Sequence, residues 1–192
     1  MKLFLGIPIP EPFHADLEAL KEEKHNRIQW VPPANFHLTL KYLGEVASHQ
    51  VDTFYDRLSQ VSVKPFPLTI GGVGRFPENT KKEPHVIWAG LEKGHPHLFQ
   101  LHKDIDYTMS KLGIYPDARV YVPHITLGRC KVKSEEQVRQ WLKAHEDFAS
   151  GTFDVSFFTL YESQASLKGI RYRPIYTLSL GAIMPGRAGK NG

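Results

Sequence analysis

Two short stretches of this chain can do chemistry together. Phe36-His37-Leu38-Thr39-Leu40 is written a second time as Pro123-His124-Ile125-Thr126-Leu127. Of the ten histidines, only these two are followed by threonine at the second position, with apolar residues at the first and third. In an extended strand, side chains two apart share a face, so each histidine projects with its threonine while the intervening residues point into a core. An imidazole titrates near ~6.5, so two facing rings can hold one neutral, as a base, and one charged, as an acid. The neighbouring hydroxyls can donate to oxygen atoms on which negative charge develops. A single motif of this kind reads as a strand histidine satisfied by a backbone carbonyl. Its repetition, 124 − 37 = 87 residues apart, is what points to a paired function.

These strands need a scaffold. A first strand is expected over Lys2 to Ile7, interrupted by Pro8 and Pro10. Pro10-Glu11-Pro12 opens a helix to about Glu23 with Phe13, Leu17 and Leu20 inward. A short strand from Arg27 to Val31 stops at Pro32-Pro33, and the first motif strand runs from Phe36 to Leu43, ended by Gly44. Ser48 is a candidate N-cap for a helix carrying Val51, Phe54, Tyr55 and Leu58. Phe66 to Phe76 and His85 to Leu91 form an antiparallel pair, with Gly71 to Gly74 a loop or bulge and Glu78 to Pro84 a solvated turn. No Gly-Lys-Ser/Thr follows those glycines, which argues against a P-loop. A third helix spans Pro96 to Leu112 and ends at Gly113. The second motif strand covers Val120 to Val132. Ser134 and Gln137 spell a capping box for a fourth helix with Val138, Trp141 and Leu142 inward. Two strands close the chain, one through Phe153, Val155 and Phe157 and one from Tyr172 to Leu180, with a turn near Lys168-Gly169.

Composition sets the outer bounds. A chain of 192 residues, 41% hydrophobic and 23% charged, suits one compact domain or two closely packed lobes; residues 1–184 are read as one bilobal domain and 185–192 as a disordered tail. Lys+Arg 24 against Asp+Glu 20 gives a formal charge of +4, compatible with a polyanionic partner. Cys130 is the lone cysteine, so no disulfide framework or cysteine zinc site is expected. A zinc reading of the histidines would need a third ligand, and none stands at a recognisable spacing. No signal peptide or membrane span is evident, and a soluble, cytoplasmic monomer is expected.

The chain resembles the RNA 2′,3′-cyclic phosphodiesterases, also called RNA 2′,5′-ligases, of the two-histidine phosphoesterase superfamily. The resemblance runs in order through Trp30-Val31-Pro32-Pro33, the first motif, Lys41-Tyr42-Leu43-Gly44-Glu45-Val46, Gly72 to Pro77, Val86-Ile87-Trp88-Ala89-Gly90-Leu91, Pro123 to Arg129 and Leu160-Tyr161-Glu162-Ser163. It implies an α+β fold of two pseudo-symmetric lobes, each an antiparallel sheet backed by helices, facing across a central cleft with one motif per wall. It also implies hydrolysis of 2′,3′-cyclic phosphate ends of RNA or nucleotides to 2′-phosphates without metal or cofactor. A 5′-hydroxyl in place of water would reverse the chemistry and give a 2′,5′ linkage.

By the same analogy, His124 is expected as general base toward water and His37 as general acid toward the 3′-oxygen. Thr39 and Thr126 can donate to the nonbridging phosphate oxygens, and Arg129 matches the arginine that contacts phosphate in the family. Strict alternation puts Arg129 on the face opposite His124, unless Gly128 permits a bulge. Lys41, two residues past Thr39, shares its face and can add positive charge. Phe76, Tyr121, Trp30 and Tyr161 are candidate base contacts. Cys130 is read as packing, His85 is left open at its strand edge, and the remaining seven histidines are read as surface residues. A binding module that holds nucleotides or RNA ends in the same cleft without turnover is the competing reading.

Overall fold

A computed structural model describes residues 1–22, 27–167 and 169–181. The expected tail and His25 lie outside the described residues. Strand β1 is Lys2–Pro8, and a 3₁₀ turn at Glu11–Phe13 leads into helix α1, His14–Ala19. Then come β2, Ile28–Trp30, and the first motif strand β3, His37–Glu45. Helix α2, Val51–Leu58, is followed by β4, Phe66–Phe76, β5, Val86–Leu91, and helix α3, Pro96–Ser110. The second motif strand β6 is Ile125–Cys130, helix α4 is Glu135–Ala144, and β7, β8 and β9 span Ala149–Val155, Phe157–Ser166 and Gly169–Ser179.

The strands form one antiparallel sheet in the order β7-β4-β5-β6-β3-β1-β8-β9, with β2 also on β6. It divides in two at its centre. The motif strands β3 and β6 meet at a single bridge, Leu38 with Ile125, whereas their outer neighbours pair along most of their lengths. Both bridge residues follow a motif histidine directly. An antiparallel pairing of equivalent residues is a local two-fold axis, so the pseudo-symmetry of the α+β fold passes between Leu38 and Ile125. Continuing that register sets His37 across from Thr126 and Thr39 across from His124, all four on one face.

Helices cover the other face. α3 lies behind β3, with Leu98, Leu101, Ile105 and Met109 fully buried, and α2 contributes Val51, Phe54 and Leu58. On the second lobe Trp141 of α4 donates from Nε1 to the carbonyl of Leu20, just past α1, and Phe13 packs on Phe153 of β7. Leu5, Leu38, Ile125 and Leu160 are fully buried in a core cluster that includes residues of both lobes. Among the described residues, no helix is long and apolar enough to cross a membrane.

Several expected boundaries shift. α1 stops at Ala19, where Leu20 and Lys21 turn back onto the carbonyls of Leu17 and Glu18. Gly44 lies within β3, at φ 75° in a register shift against β1, and so accommodates a bulge without ending the strand. Ser48 opens a 3₁₀ turn and caps nothing. The capping box is absent too: Ser134 Oγ makes no cap bond, and Gln137 Oε1 is buried without a partner. β6 begins at Ile125 and not near Val120, the segment before it being held by side chains. The alternation of Phe153, Val155 and Phe157 spans two strands: β7 pairs with β4, and after Ser156 the chain crosses to pair β8 with β1. The expected β8–β9 hairpin forms across Ser166 and Gly169.

Candidate active site

Both histidines are oriented by the same local device. His37 Nδ1 lies 2.7 Å from the carbonyl of Asn35, and His124 Nδ1 lies 2.7 Å from the carbonyl of Val122. A carbonyl only accepts, so Nδ1 carries the proton in each ring, and Nε2 is left as the exchangeable atom. Thr39 Oγ1 is 3.0 Å from His37 Nε2 and donates to it when the ring is neutral. Gly6 lies beside β3 without a side chain, since a Cβ there would stand 3.2 Å from the His37 ring and 3.1 Å from the Leu38 carbonyl.

Aromatic rings wall both sides. Phe4 and Tyr172 approach His37 at centroid distances of 4.9 and 5.0 Å. Phe76 stands edge-on to His124 at 4.8 Å, with Trp88 behind at 6.1 Å. This burial lowers both imidazole pKa values. His37 falls to about 4, chiefly by desolvation, against the opposing Asn35 carbonyl and with further lowering by His124 and Arg129. His124 is lowered by desolvation, partly offset by the Val122 carbonyl. His124 and Arg129 both lie close enough to His37 to act on its charge. Both rings are therefore neutral at neutral pH, and an acid role for either requires an adjacent anion to raise its pKa.

Matched bulges decide what else reaches the cleft. β1 pairs with Thr39 and then Lys41, skipping Leu40; β5 pairs with Thr126 and then Gly128, skipping Leu127. The skipped residues are equivalent, 127 − 40 = 87 apart. Past the second bulge Arg129 returns to the exposed face and reaches Tyr172 on the opposite lobe. The bulge at Gly128 thus resolves the alternation problem, and Gly128 is required there because a Cβ would lie 2.5 Å from Ile28 Cγ2.

Past the first bulge the outcome differs for Lys41, and the expectation of a phosphate contact fails. The bulge turns Lys41 toward α3, where the residue is only 7% exposed and its ammonium is 2.5 Å from Asp106 and bonded to the Tyr115 carbonyl. His102, one turn before Asp106, takes up the carbonyl of the skipped Leu40. Tyr42 comes to the cleft face instead. Sequence reasoning missed it, though 42 − 37 and 129 − 124 are both 5, so an internal alignment of the motifs pairs it with Arg129.

Of the aromatic candidates, Phe76 lies in the cleft and Tyr161 lines the pocket beside His37. Tyr121 does not: it stacks on His102 at 3.8 Å and donates to the carbonyl of Thr39 at 3.1 Å. It ties the chain before the second motif to the back of the first, and its burial raises the phenol pKa. Trp30 packs beneath Gly128 and against Trp141. The Cys130 thiol is pushed up by burial, which suits packing. His85 is exposed beside β5, and His14, His95, His97, His102 and His145 are half-buried. His95 caps α3 and His14 bonds the carbonyl of Ile9, so these are structural and not surface residues.

Comparison with known proteins gives a consistent picture. The family model described as the 2′-5′ RNA ligase superfamily matches residues 9–166. The RNA 2′,3′-cyclic phosphodiesterase of Methanocaldococcus jannaschii is 31% identical over 178 residues, covering 92% of this chain and 96% of that protein. The protein of the same name from Aquifex aeolicus is 30% identical over 183 residues, covering 93% and 94%. A crystal structure of a Thermus thermophilus protein superposes with a TM-score of 0.78 at 27% identity, covering 94% of this chain and 98% of the other. Escherichia coli LigT, crystallised with 3′-AMP, has the same fold, at a TM-score of 0.77 and 24% identity, with 94% and 98% covered.

Proposed function

The chain belongs to the 2′-5′ RNA ligase superfamily, and from that premise we propose that its cleft opens 2′,3′-cyclic phosphates at RNA ends to 2′-phosphates with its own two histidines as acid and base. The observation that carries this reading is the local two-fold at Leu38 and Ile125. It brings two Nδ1-anchored imidazoles to one face, each with a hydroxyl beside it. A site for holding a nucleotide without turnover has no need of two proton-transfer groups.

Water attacks phosphorus in line with the 3′-oxygen. His124 Nε2 takes the water proton, the P–O3′ bond breaks, and His37 Nε2–H protonates the departing oxygen, leaving the phosphate on O2′. Thr39, Thr126 and Arg129 hold the nonbridging oxygens, with Arg129 neutralising charge in both ground and transition states. His37 takes its proton from solvent as substrate binds: burial disfavours its imidazolium and the phosphate anion stabilises it. A ring with so low an intrinsic pKa donates readily once the negative charge moves to the 3′-oxygen. A 5′-hydroxyl replacing water would use the same two transfers to form a 2′,5′ bond. Phe76 offers a ring to the terminal base. No step requires a metal, and the same reading has the protein acting as a cytoplasmic monomer on RNA ends.

The test is ³¹P NMR of an oligoribonucleotide ending in 2′,3′-cyclic phosphate, incubated with the protein in excess EDTA. The expected product is the 2′-monophosphate alone. Mixed 2′- and 3′-monophosphates, or tight binding without turnover, would refute it.

A further inference from the structure

A second groove of about 230 Å³ has Arg129 in its wall, together with Tyr42, Tyr172, Lys2, Glu45 and Ile170 among others. Apart from Arg129, none of these side chains enters the acid-base chemistry. Phe4 and Tyr172 connect the groove to the site, since both line it and their rings stand 4.9 and 5.0 Å from that of His37. A ligand at the histidines that extends along Arg129 therefore enters the groove.

Tyr42 is the unexplained residue. It is 67% exposed, with the ring of Phe4 at 6.0 Å and Tyr172 near enough to feel its charge. The two cleft walls match at histidine, threonine and bulge, and differ where one presents Arg129 and the other Tyr42. One guanidinium suffices for the phosphate between the histidines. An exposed phenol ring at the equivalent place, flanked by Lys2 and Arg129, has the composition of a single-stranded nucleic-acid contact: a stacking face beside backbone-binding cations. Glu45 adds an acceptor for the exocyclic amino groups of a base.

We infer that this groove is a second nucleotide subsite, which takes the ribonucleotide preceding the one that carries the cyclic phosphate. Tyr42 stacks on its base while Lys2 and Arg129 flank its phosphate. The inference rests on the function proposed above and adds a subsite to it: a dinucleotide end that fills the groove is preferred to a cyclic mononucleotide, which does not reach it.

The experiment measures kcat and KM for a 2′,3′-cyclic mononucleotide and for a dinucleotide ending in the same cyclic nucleotide, at one salt concentration. Wild-type protein should favour the dinucleotide by about tenfold or more, the range expected for one stacked base. Tyr42→Ala should reduce this preference mainly through KM, and Tyr42→Phe should retain it, because stacking needs the ring and not the hydroxyl. Equal kcat/KM for both substrates in the wild type would overturn the proposal. So would a Tyr42→Ala variant that loses both activities in the same proportion through kcat. If neither substrate turned over, the hydrolase reading would fail on its own. Calorimetry with the two 2′-phosphorylated products would then decide the subsite, which requires tighter binding of the dinucleotide and loss of that difference in Tyr42→Ala.

Discussion

His37 and His124 are held by carbonyls two residues upstream, so truncating either ring removes a proton-transfer group and leaves the strand pairing in place. His37→Ala and His124→Ala should each lower turnover by about 10² to 10⁴-fold with little change in Tm. A substrate with an activated 3′ leaving group should rescue His37→Ala and not His124→Ala; the opposite rescue would exchange their roles. Arg129→Ala should raise KM and lower kcat together, because the guanidinium meets phosphate charge before and during the reaction. Unchanged values of both would show that Arg129 does not serve the site. At this scale the sequence is most legible: His37, Thr39, His124 and Thr126 announce themselves by type and repetition, and Arg129 by family resemblance. Lys41 and Tyr42 escape it because strict alternation does not survive a bulge, and Tyr121 because an aromatic ring near a motif gives no sign of which face it takes.

The two bulges are where strand geometry becomes site geometry. Gly128 permits the second one, and a methyl group there would collide with Ile28 Cγ2 at 2.5 Å. Gly128→Ala should therefore cost roughly 1–3 kcal/mol of stability, as overpacking commonly does, and should raise KM as Arg129→Ala does. Adding Ile28→Ala, which removes the obstructing Cγ2, should recover part of the KM. A KM unaffected by Gly128→Ala would mean that the bulge does not aim Arg129. The elements themselves are largely readable from apolar spacing, helix α3 best of all. Boundaries are read less well where backbone partners decide them. The alternation through Val155 and Phe157 does not betray that Ser156 passes between lobes, and Pro10-Glu11-Pro12 does not disclose that the helix it opens is short.

Over the whole molecule, the arrangement of two lobes is visible through family resemblance and not through periodicity, because the one bridge between Leu38 and Ile125 joins residues too distant along the chain for local patterns to encode. The facing of the two walls has a thermodynamic consequence. The fold keeps His37 neutral down to about pH 4, whereas the ring in an unfolded chain takes a proton near ~6.5. Between these values the unfolded state binds more protons, so stability falls as pH drops through that window, and the depressed His124 acts in the same direction. A bound anion stabilises the imidazolium, so sulfate should raise Tm more at about pH 5 than at about pH 8; an equal gain at both would place the anion away from the histidines. The most direct test of paired acid-base catalysis is the pH dependence of kcat/KM and kcat for a cyclic-phosphate dinucleotide in excess EDTA. Both curves should be bell-shaped, with the kcat/KM bell lying to the acid side of the kcat bell, because bound phosphate raises an imidazole pKa that burial has lowered. A rate that climbs steadily into alkaline pH, or that vanishes with chelator and returns with zinc or manganese, would contradict the account and assign the nucleophile to a metal-bound hydroxide.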